Sequence, residues 1–508
     1  MVTADSREAK LGSAFVAVSG AQVDGNDFIE SALDQGCQVI VSEQRCPSVF
    51  EDSEQVAWIR VGNARLALAK MATNLAGHPT KSLKVAGVTG TNGKTTVTYL
   101  THAILQKVRH RAGLLGTIKN YDGVQSIETK HTTPDAVSVQ SLFSAMLDQG
   151  CREAVMEVSS IGVDQHRVTG AEFAVGAFTN LTQDHLDYHG SMEKYFQAKR
   201  QFFVNLSKQK SRKARMVINL DDPYGERLVR EFKEDNQVYS FGYALGADFR
   251  ITRSAESLKG IEFEFSFQGK FYLVRLPLIG RFNVYNAMTS LVTAYALGLK
   301  ISEVIEALED CPQIPGRLEK VGTSHDITAF VDYAHTPDAL ENVCSTLRGA
   351  LESGRLITVF GCGGDRDATK RPLMAQAASR YSDVVIVTAD NPRSEPLAQI
   401  FEDIQAGLNG AASFTEVLRD KAIEQAIFGA RPGDIVLIAG KGHEDYQIIG
   451  EAVIPFSDRE ATRKHLDALK KSLAIEAAEK EKQMEEEFEA ERRERRQFRK
   501  EESYQKED

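Results

Sequence analysis

The stretch Gly87–Thr96, GVTGTNGKTT, decides how this chain folds. An apolar run containing Leu83, Val85 and Val88 enters it and predicts a strand. Lys94-Thr95-Thr96 leaves it, and Val97, Leu100 and Ile104 continue at helical spacing. The glycines let backbone N–H groups wrap phosphate oxygens, and the helix N-terminus adds a positive field. Lys94 adds a charge, and Thr95 offers a hydroxyl for Mg²⁺. The strict GxxxxGK[ST] pattern fails at one position, because Val88 stands at the first glycine site. Strand, glycine turn and helix together still predict a phosphate-binding loop at Gly90, Thr91, Asn92, Gly93, Lys94, Thr95 and Thr96. The loop alone does not say what the nucleotide is used for.

Outward from this point, strands and helices alternate, which predicts parallel α/β sheets. At roughly 150 residues per domain, 508 residues make about three domains. The expected segments are 1–80, 81–312 around the phosphate loop, 313–470, and a charged tail over 471–508. The third segment carries four strand-like runs, ITAFVDY, RLITVFG, DVVIVTA and DIVLIAG, each followed by a polar loop that would gather at the carboxyl edge of a sheet. In residues 476–508, 13 acidic and 9 basic residues predict a solvated, frayed helix rather than a core. The net charge of −10 favours neither a nucleic acid nor an anionic membrane as partner. Six scattered cysteines, no apolar leader and no membrane-length apolar run lead us to expect a cytoplasmic protein without stable membrane association.

Other residues carry chemistry. Glu157, in MEVSS (156–160), ends an apolar run where a carboxylate can hold a metal or water. Asp184, His185, Asp187 and His189 cluster after the next strand. Zinc is disfavoured for the His185–His189 pair, because no glutamate follows as in HExxH and Tyr188-His189-Gly190 reads as loop. In GCGGDR, Arg366 occupies the third glycine site of a dinucleotide fingerprint, so NAD binding is rejected.

GVTGTNGKTT, MEVSS, TNLTQDHLDYHG (179–190), AKRQFF (198–203), GRFNVYNAM (280–288), GRLE (316–319), DYAHTPDAL (332–340), GCGGDRDATKRPLM (361–374), DNPR (390–393) and AGKGHEDYQ (439–447) occur in that order. In this set the chain resembles the Mur ligase family over about residues 4–465. The resemblance implies a central P-loop ATPase-like parallel sheet and a C-terminal Rossmann-like doubly wound sheet. It implies an ATP- and Mg²⁺-dependent amide-bond ligase of peptidoglycan assembly. The substrates it implies are UDP-N-acetylmuramoyl-L-alanyl-D-glutamate and meso-2,6-diaminopimelate, joined through an acyl phosphate.

By the same resemblance Lys94 holds phosphates, Thr95 and Glu157 ligate Mg²⁺, His185 serves a second metal, and Lys199 becomes a carbamate. Asn283, Asn286, Arg317 and Asp332 match positions around the nucleotide. Ala4, Ser6, Ala21, Gln22, Val23, Thr132, Thr133, Ser159, Gln165 and Arg167 match the UDP-sugar-peptide site. Arg371, Asp390, Asn391, Pro392, Arg393, Gly440 and Glu444 match the amino-acid site, with DNPR marking diaminopimelate over lysine. The sequence departs from the pattern at His131 and Ile161. It begins almost at its Asp5-Ser6-Arg7 motif, so a first domain lacking the family's usual leading segment is expected. The competing expectations are a lysine-adding synthetase and a catalytically impaired binding protein.

Overall fold

A computed structural model describes residues 1–20, 23–51, 53–129, 131–234 and 237–504, with side chains as far as Arg493 and at Arg495. Ala21 and Gln22 lie outside the described residues. The chain divides into two compact units, Met1–Pro312 and Gln313–Asp508.

The first unit holds two sheets. Val2–Thr3, Ala14–Val16, Val39–Ser42 and Ala57–Arg60 pair in that order, all parallel. The middle two strands are the expected apolar runs. The outer two escape notice in the sequence, one being two residues long and the other largely exposed. Helix Ala64–Leu75 follows, with Asn63 capping its start by accepting from Leu66 N–H at 2.8 Å.

The second sheet has eleven strands, with Lys84–Thr89 between Phe173–Phe178 and Glu153–Glu157. These three are parallel and their apolar residues are buried on both faces, as central strands of a covered sheet must be. The register sets Val88 opposite both Ala177 and Glu157. The glycine loop, Glu157 and the segment after Phe178 therefore emerge on one edge. Helix Lys94–Arg109 begins at the expected lysine. Helix Phe282–Leu297 packs against it, and an antiparallel meander, Phe249–Ser257, Gly260–Phe267 and Lys270–Leu276, extends the sheet's far side.

In the second unit the four expected runs form Ile327–Asp332, Leu356–Phe360, Val384–Val387 and Ile435–Ala439. They are parallel, with Ile435–Ala439 between the first two. Glu319–Ser324 (antiparallel) and Ala412–Thr415 add the edges. The tail does not start a new element at residue 471. A single helix, Asp458–Tyr504, buries Ala461, Leu466 and Leu469 against this sheet and then continues into solvent. Among the described residues, no helix is long and apolar enough to cross a membrane.

Candidate active site

The glycine loop is held from outside itself. Gly90 and Gly93 take φ of 154° and 85°, which side-chain-bearing residues rarely adopt. A Cβ on Gly93 would collide with the Asn286 amide, and one on Gly90 with the Thr179 hydroxyl. Asn286 is fixed by donating to Asn283 Oδ1 at 2.8 Å, and Asn283 donates to Ile279 O at 2.7 Å. Both asparagines, expected near the nucleotide, thus brace the loop. On its other side Asn180 Oδ1 accepts from Asn92 N–H at 2.9 Å, and the Thr179 hydroxyl donates to Asn92 O at 2.7 Å. Lys94 folds back over the loop, donating to Gly90 O and Thr91 O at 3.0 and 2.7 Å.

Glu157 is fully buried at the strand end. Its carboxylate accepts from the Thr95 hydroxyl at 3.1 Å, from Thr117 N–H at 2.8 Å and from the Thr117 hydroxyl at 3.1 Å. A buried carboxylate needs such donors. The Thr117 and Thr132 hydroxyls also lie within hydrogen-bond distance, 3.0 Å apart. The Thr133 hydroxyl donates to Glu157 O at 2.8 Å and accepts from Ser159 N–H at 3.0 Å. Ser159 then caps the short helix Ser160–Asp164 by accepting from Gly162 N–H. At that helix's end, Arg167 donates to Gln165 Oε1 at 2.8 and 3.2 Å and to Thr133 O at 2.9 Å. One continuous network therefore joins Thr95, Glu157, Thr132, Thr133, Ser159, Gln165 and Arg167. Ser6 is buried in the first sheet's 3-10 turn and Val23 is exposed; no described bond joins either, or Ala4, to this network.

Lys199 lies on helix Met192–Ser207 and is buried. Its Nζ donates to Gly90 O at 2.8 Å and sits 4.6 Å from the centre of the Tyr195 ring. Burial, aided by the Lys94 charge and opposed by Asp184, pushes its pKa well below the ordinary lysine value. His185 has left-handed φ of 51° and lies 3.4 Å from Asp184, and burial lowers its pKa as well. Tyr188-His189-Gly190, expected as loop, is helical at its first two residues. Leu186–His189 forms one helical turn, closed by His189 N–H donating to His185 O. His189 itself reaches Ser160 Oγ at 2.9 Å and stacks on Tyr195.

In the second unit, Asp332 accepts from Leu318 N–H at 2.5 Å and Ala334 N–H at 2.7 Å. Burial pushes its carboxyl up to about 6, against the Arg317 charge and these two bonds. The Arg317 guanidinium lies 4.7 Å from the centre of the Tyr333 ring. At the next strand ends, Asn391 donates to Glu444 Oε2 at 3.1 Å, and Arg393, with φ of 52°, donates to Gly364 O at 2.8 Å. Gly440 takes φ of 120° beside Asp390.

Arg371, expected to hold the amino acid, is engaged otherwise. Its side chain is fully buried and donates to Glu395 at 2.6 and 2.7 Å and to Asp403 at 2.8 Å. Two carboxylates of this unit thus pair the Arg371 Nη groups, while among the described residues its buried Nε has no hydrogen-bond partner. Arg366, on the adjoining Gly363–Arg366 loop, is exposed instead.

The sequence profile described as "Mur ligase middle domain" matches residues 88–294. "Mur ligase, glutamate ligase domain" matches 316–442, and "Mur ligase family, catalytic domain" matches 1–75. The chain is 41% identical over 460 residues to the UDP-N-acetylmuramoyl-L-alanyl-D-glutamate–2,6-diaminopimelate ligase of Clostridium botulinum, covering 90% of this chain and 92% of that one. It is 43% identical over 477 residues, with the same coverages, to the protein of that name from Geobacter sulfurreducens.

The chain belongs to the Mur ligase family.

A solved Mur ligase structure, titled a UDP-N-acetylmuramoyl-L-alanyl-D-glutamate–2,6-diaminopimelate ligase, superposes with a TM-score of 0.67 at 33% identity, over 92% of this chain and 94% of that one. Three residues of this Mur ligase escaped the sequence reading as site residues. Thr117 lies outside every motif quoted, and only the fold carries it to Glu157. Asn180 sits inside TNLT, but its contact with Asn92 spans 88 positions. Lys441 stands between two glycines inside AGKGHEDYQ, where nothing in the sequence marks it for burial; it is fully buried.

Proposed function

We propose that this Mur ligase joins meso-2,6-diaminopimelate to the D-glutamyl carboxylate of UDP-N-acetylmuramoyl-L-alanyl-D-glutamate, at the expense of ATP, in the cytoplasm. The observation that carries this reading is the Asp390–Arg393 segment set around Asn391 and Glu444, in a chain 41–43% identical to ligases bearing that name. A carboxylate oxygen of the dipeptide attacks the γ-phosphorus and ADP leaves. The amine then attacks the acyl phosphate, phosphate leaves, and one proton is released. Such chemistry asks the protein for positioning and charge neutralisation.

Lys94 and the amides of the Gly90–Thr96 turn suit the phosphates. The Thr95 hydroxyl and the Glu157 carboxylate, 3.1 Å apart, are hard oxygen donors of the kind Mg²⁺ takes. Mg²⁺ bound there would offset phosphate charge. Burial beside Lys94 favours the neutral amine of Lys199, the form that can add to CO₂: its nitrogen bonds the carbon and a proton leaves, producing an anionic carbamate. Gln165, Arg167, Thr132, Thr133 and Ser159 fit the sugar-nucleotide peptide, with the acidic peptide end toward Arg167. At the amino-acid site, Arg393 suits the distal carboxylate that lysine lacks, Arg366 is a second exposed cation, and Glu444 suits an ammonium.

The test is incorporation of radiolabelled meso-diaminopimelate into UDP-N-acetylmuramoyl-dipeptide, with ATP present or withheld and with lysine in parallel. ATP-dependent incorporation of diaminopimelate in preference to lysine is expected. Equal use of both amino acids would overturn the substrate assignment, and no ATP-dependent product would overturn the ligase reading for this chain.

A further inference from the structure

Lys441 is an unusual lysine. Its side chain has 0% exposure, against 9% for Asp390 and 16% for Glu444. The flanking residues explain how it enters the interior. Gly440 and Gly442 have φ of 120° and 56°, so the chain turns inward on both sides of it. All three ammonium protons find acceptors: Asn391 Oδ1 at 3.0 Å, Glu444 Oε2 at 3.1 Å and Asp390 Oδ1 at 3.4 Å.

Every one of these acceptors belongs to the amino-acid site. That separates Lys441 from a purely structural buried cation such as Arg419, which pairs bidentately with Asp458 at 2.7 and 2.8 Å. Lysine has donors only, and Asn391 Oδ1 also accepts from Ile448 N–H at 2.9 Å. Two donors on one side hold the amide oxygen there, so Asn391 Nδ2 must face Glu444. Glu444 Oε2 then carries two bonds, from Lys441 and Asn391, while Oε1 carries a longer one from the Tyr333 hydroxyl at 3.4 Å. Oε1 is the oxygen left to receive a ligand ammonium. Lys441 also offsets one of two carboxylate charges that would otherwise repel across a nearly closed space.

We propose that Lys441 is a positioning residue for the amino-acid substrate. It sets the Asn391 amide and holds Glu444 with Oε1 toward the incoming ammonium, without touching the substrate itself. The inference rests on the reading of Asp390–Arg393 and Glu444 as the amino-acid site.

The experiment is a double-mutant cycle of Lys441→Met and Glu444→Gln in the full chain, read as separate KM values for diaminopimelate, ATP and the UDP-dipeptide. Glu444→Gln removes one charged contact and should raise the diaminopimelate KM about tenfold to a hundredfold. Lys441→Met should raise the same KM by a similar factor and leave the other two within about threefold. If the lysine acts through Glu444, the double variant should match Glu444→Gln within about threefold, because coupled residues are not additive. The double variant loses one charge of each sign, so it tests the proposal even where Lys441→Met alone does not fold. Multiplied effects in the double variant, or an equal rise in all three KM values, would overturn the positioning role. An unchanged diaminopimelate KM in Glu444→Gln would overturn the site assignment instead.

Discussion

Thr117 donates both its backbone N–H, at 2.8 Å, and its hydroxyl, at 3.1 Å, to the Glu157 carboxylate. The same hydroxyl reaches Thr132. One side chain therefore links the residues suited to Mg²⁺ with those suited to the sugar-nucleotide peptide. Thr117→Val keeps the shape and the N–H but removes the hydroxyl. A hydrogen bond to a charged group contributes about 1.5–3 kcal/mol, so kcat should fall about tenfold to a hundredfold with the fold intact. Turnover titrated against Mg²⁺ checks this, and the variant should require more Mg²⁺ for half-maximal rate.

Lys199→Met should abolish turnover and raise Tm. The folded amine has a pKa well below that of the unfolded lysine. Between the two values the unfolded chain binds more protons, so this group opposes folding at neutral pH, and its penalty shrinks as pH rises. Removing it relieves that cost and also removes the amine on which the proposed carbamate would form. Thermal melts at pH 7 and 9 check the sign, and the stabilisation should be larger at pH 7. Nucleotide binding should persist, and a short carboxylic acid should restore part of the activity to Lys199→Ala.

Arg393→Ala and Arg371→Ala should separate by phenotype. Arg393 reaches only backbone oxygens, Gly364 O and Asn391 O, in the described contacts. Its loss should raise the diaminopimelate KM about tenfold to a hundredfold and spare the KM values for ATP and the UDP-dipeptide. Arg371 is tied to Glu395 and Asp403. Its loss leaves two carboxylates without their shared cation and should cost about 1–3 kcal/mol of stability, measured by denaturant unfolding. If Arg371→Ala were as stable as the wild type and lost only diaminopimelate affinity, Arg371 would be a ligand after all.

Removing the charged tail should leave ligase activity within a few-fold, provided the cut respects the core. Truncation at about Ser472 would remove Leu473, which packs against the buried cluster of the second unit. Ile475 is exposed, and every described side chain after it is exposed as well. A chain ending at Ile475 should therefore fold and turn over normally. Steady-state rates of soluble truncated protein test this, and a large loss would assign the tail a catalytic role.

Local pattern was enough, from the sequence by itself, to determine the strand, glycine loop and helix around Gly90–Thr96, the four parallel strands of the second unit and the strand-end carboxylate at residue 157. Apolar runs, glycines and a strand-end acid act over a few positions, so their consequences can be read in order along the chain. The long-range partners were decided only by the tertiary structure. Thr117 meets Glu157 across 40 positions and Lys199 meets Gly90 across 109. The two arginines of the third segment look alike in sequence, but Glu395 and Asp403 close around Arg371 and not around Arg393. Lys441 carries no local signal of burial, and positive-φ glycines turn it inward onto Asp390, Asn391 and Glu444. A residue's type sets which bonds it can make; burial and the strand register decide which partners are present to make them.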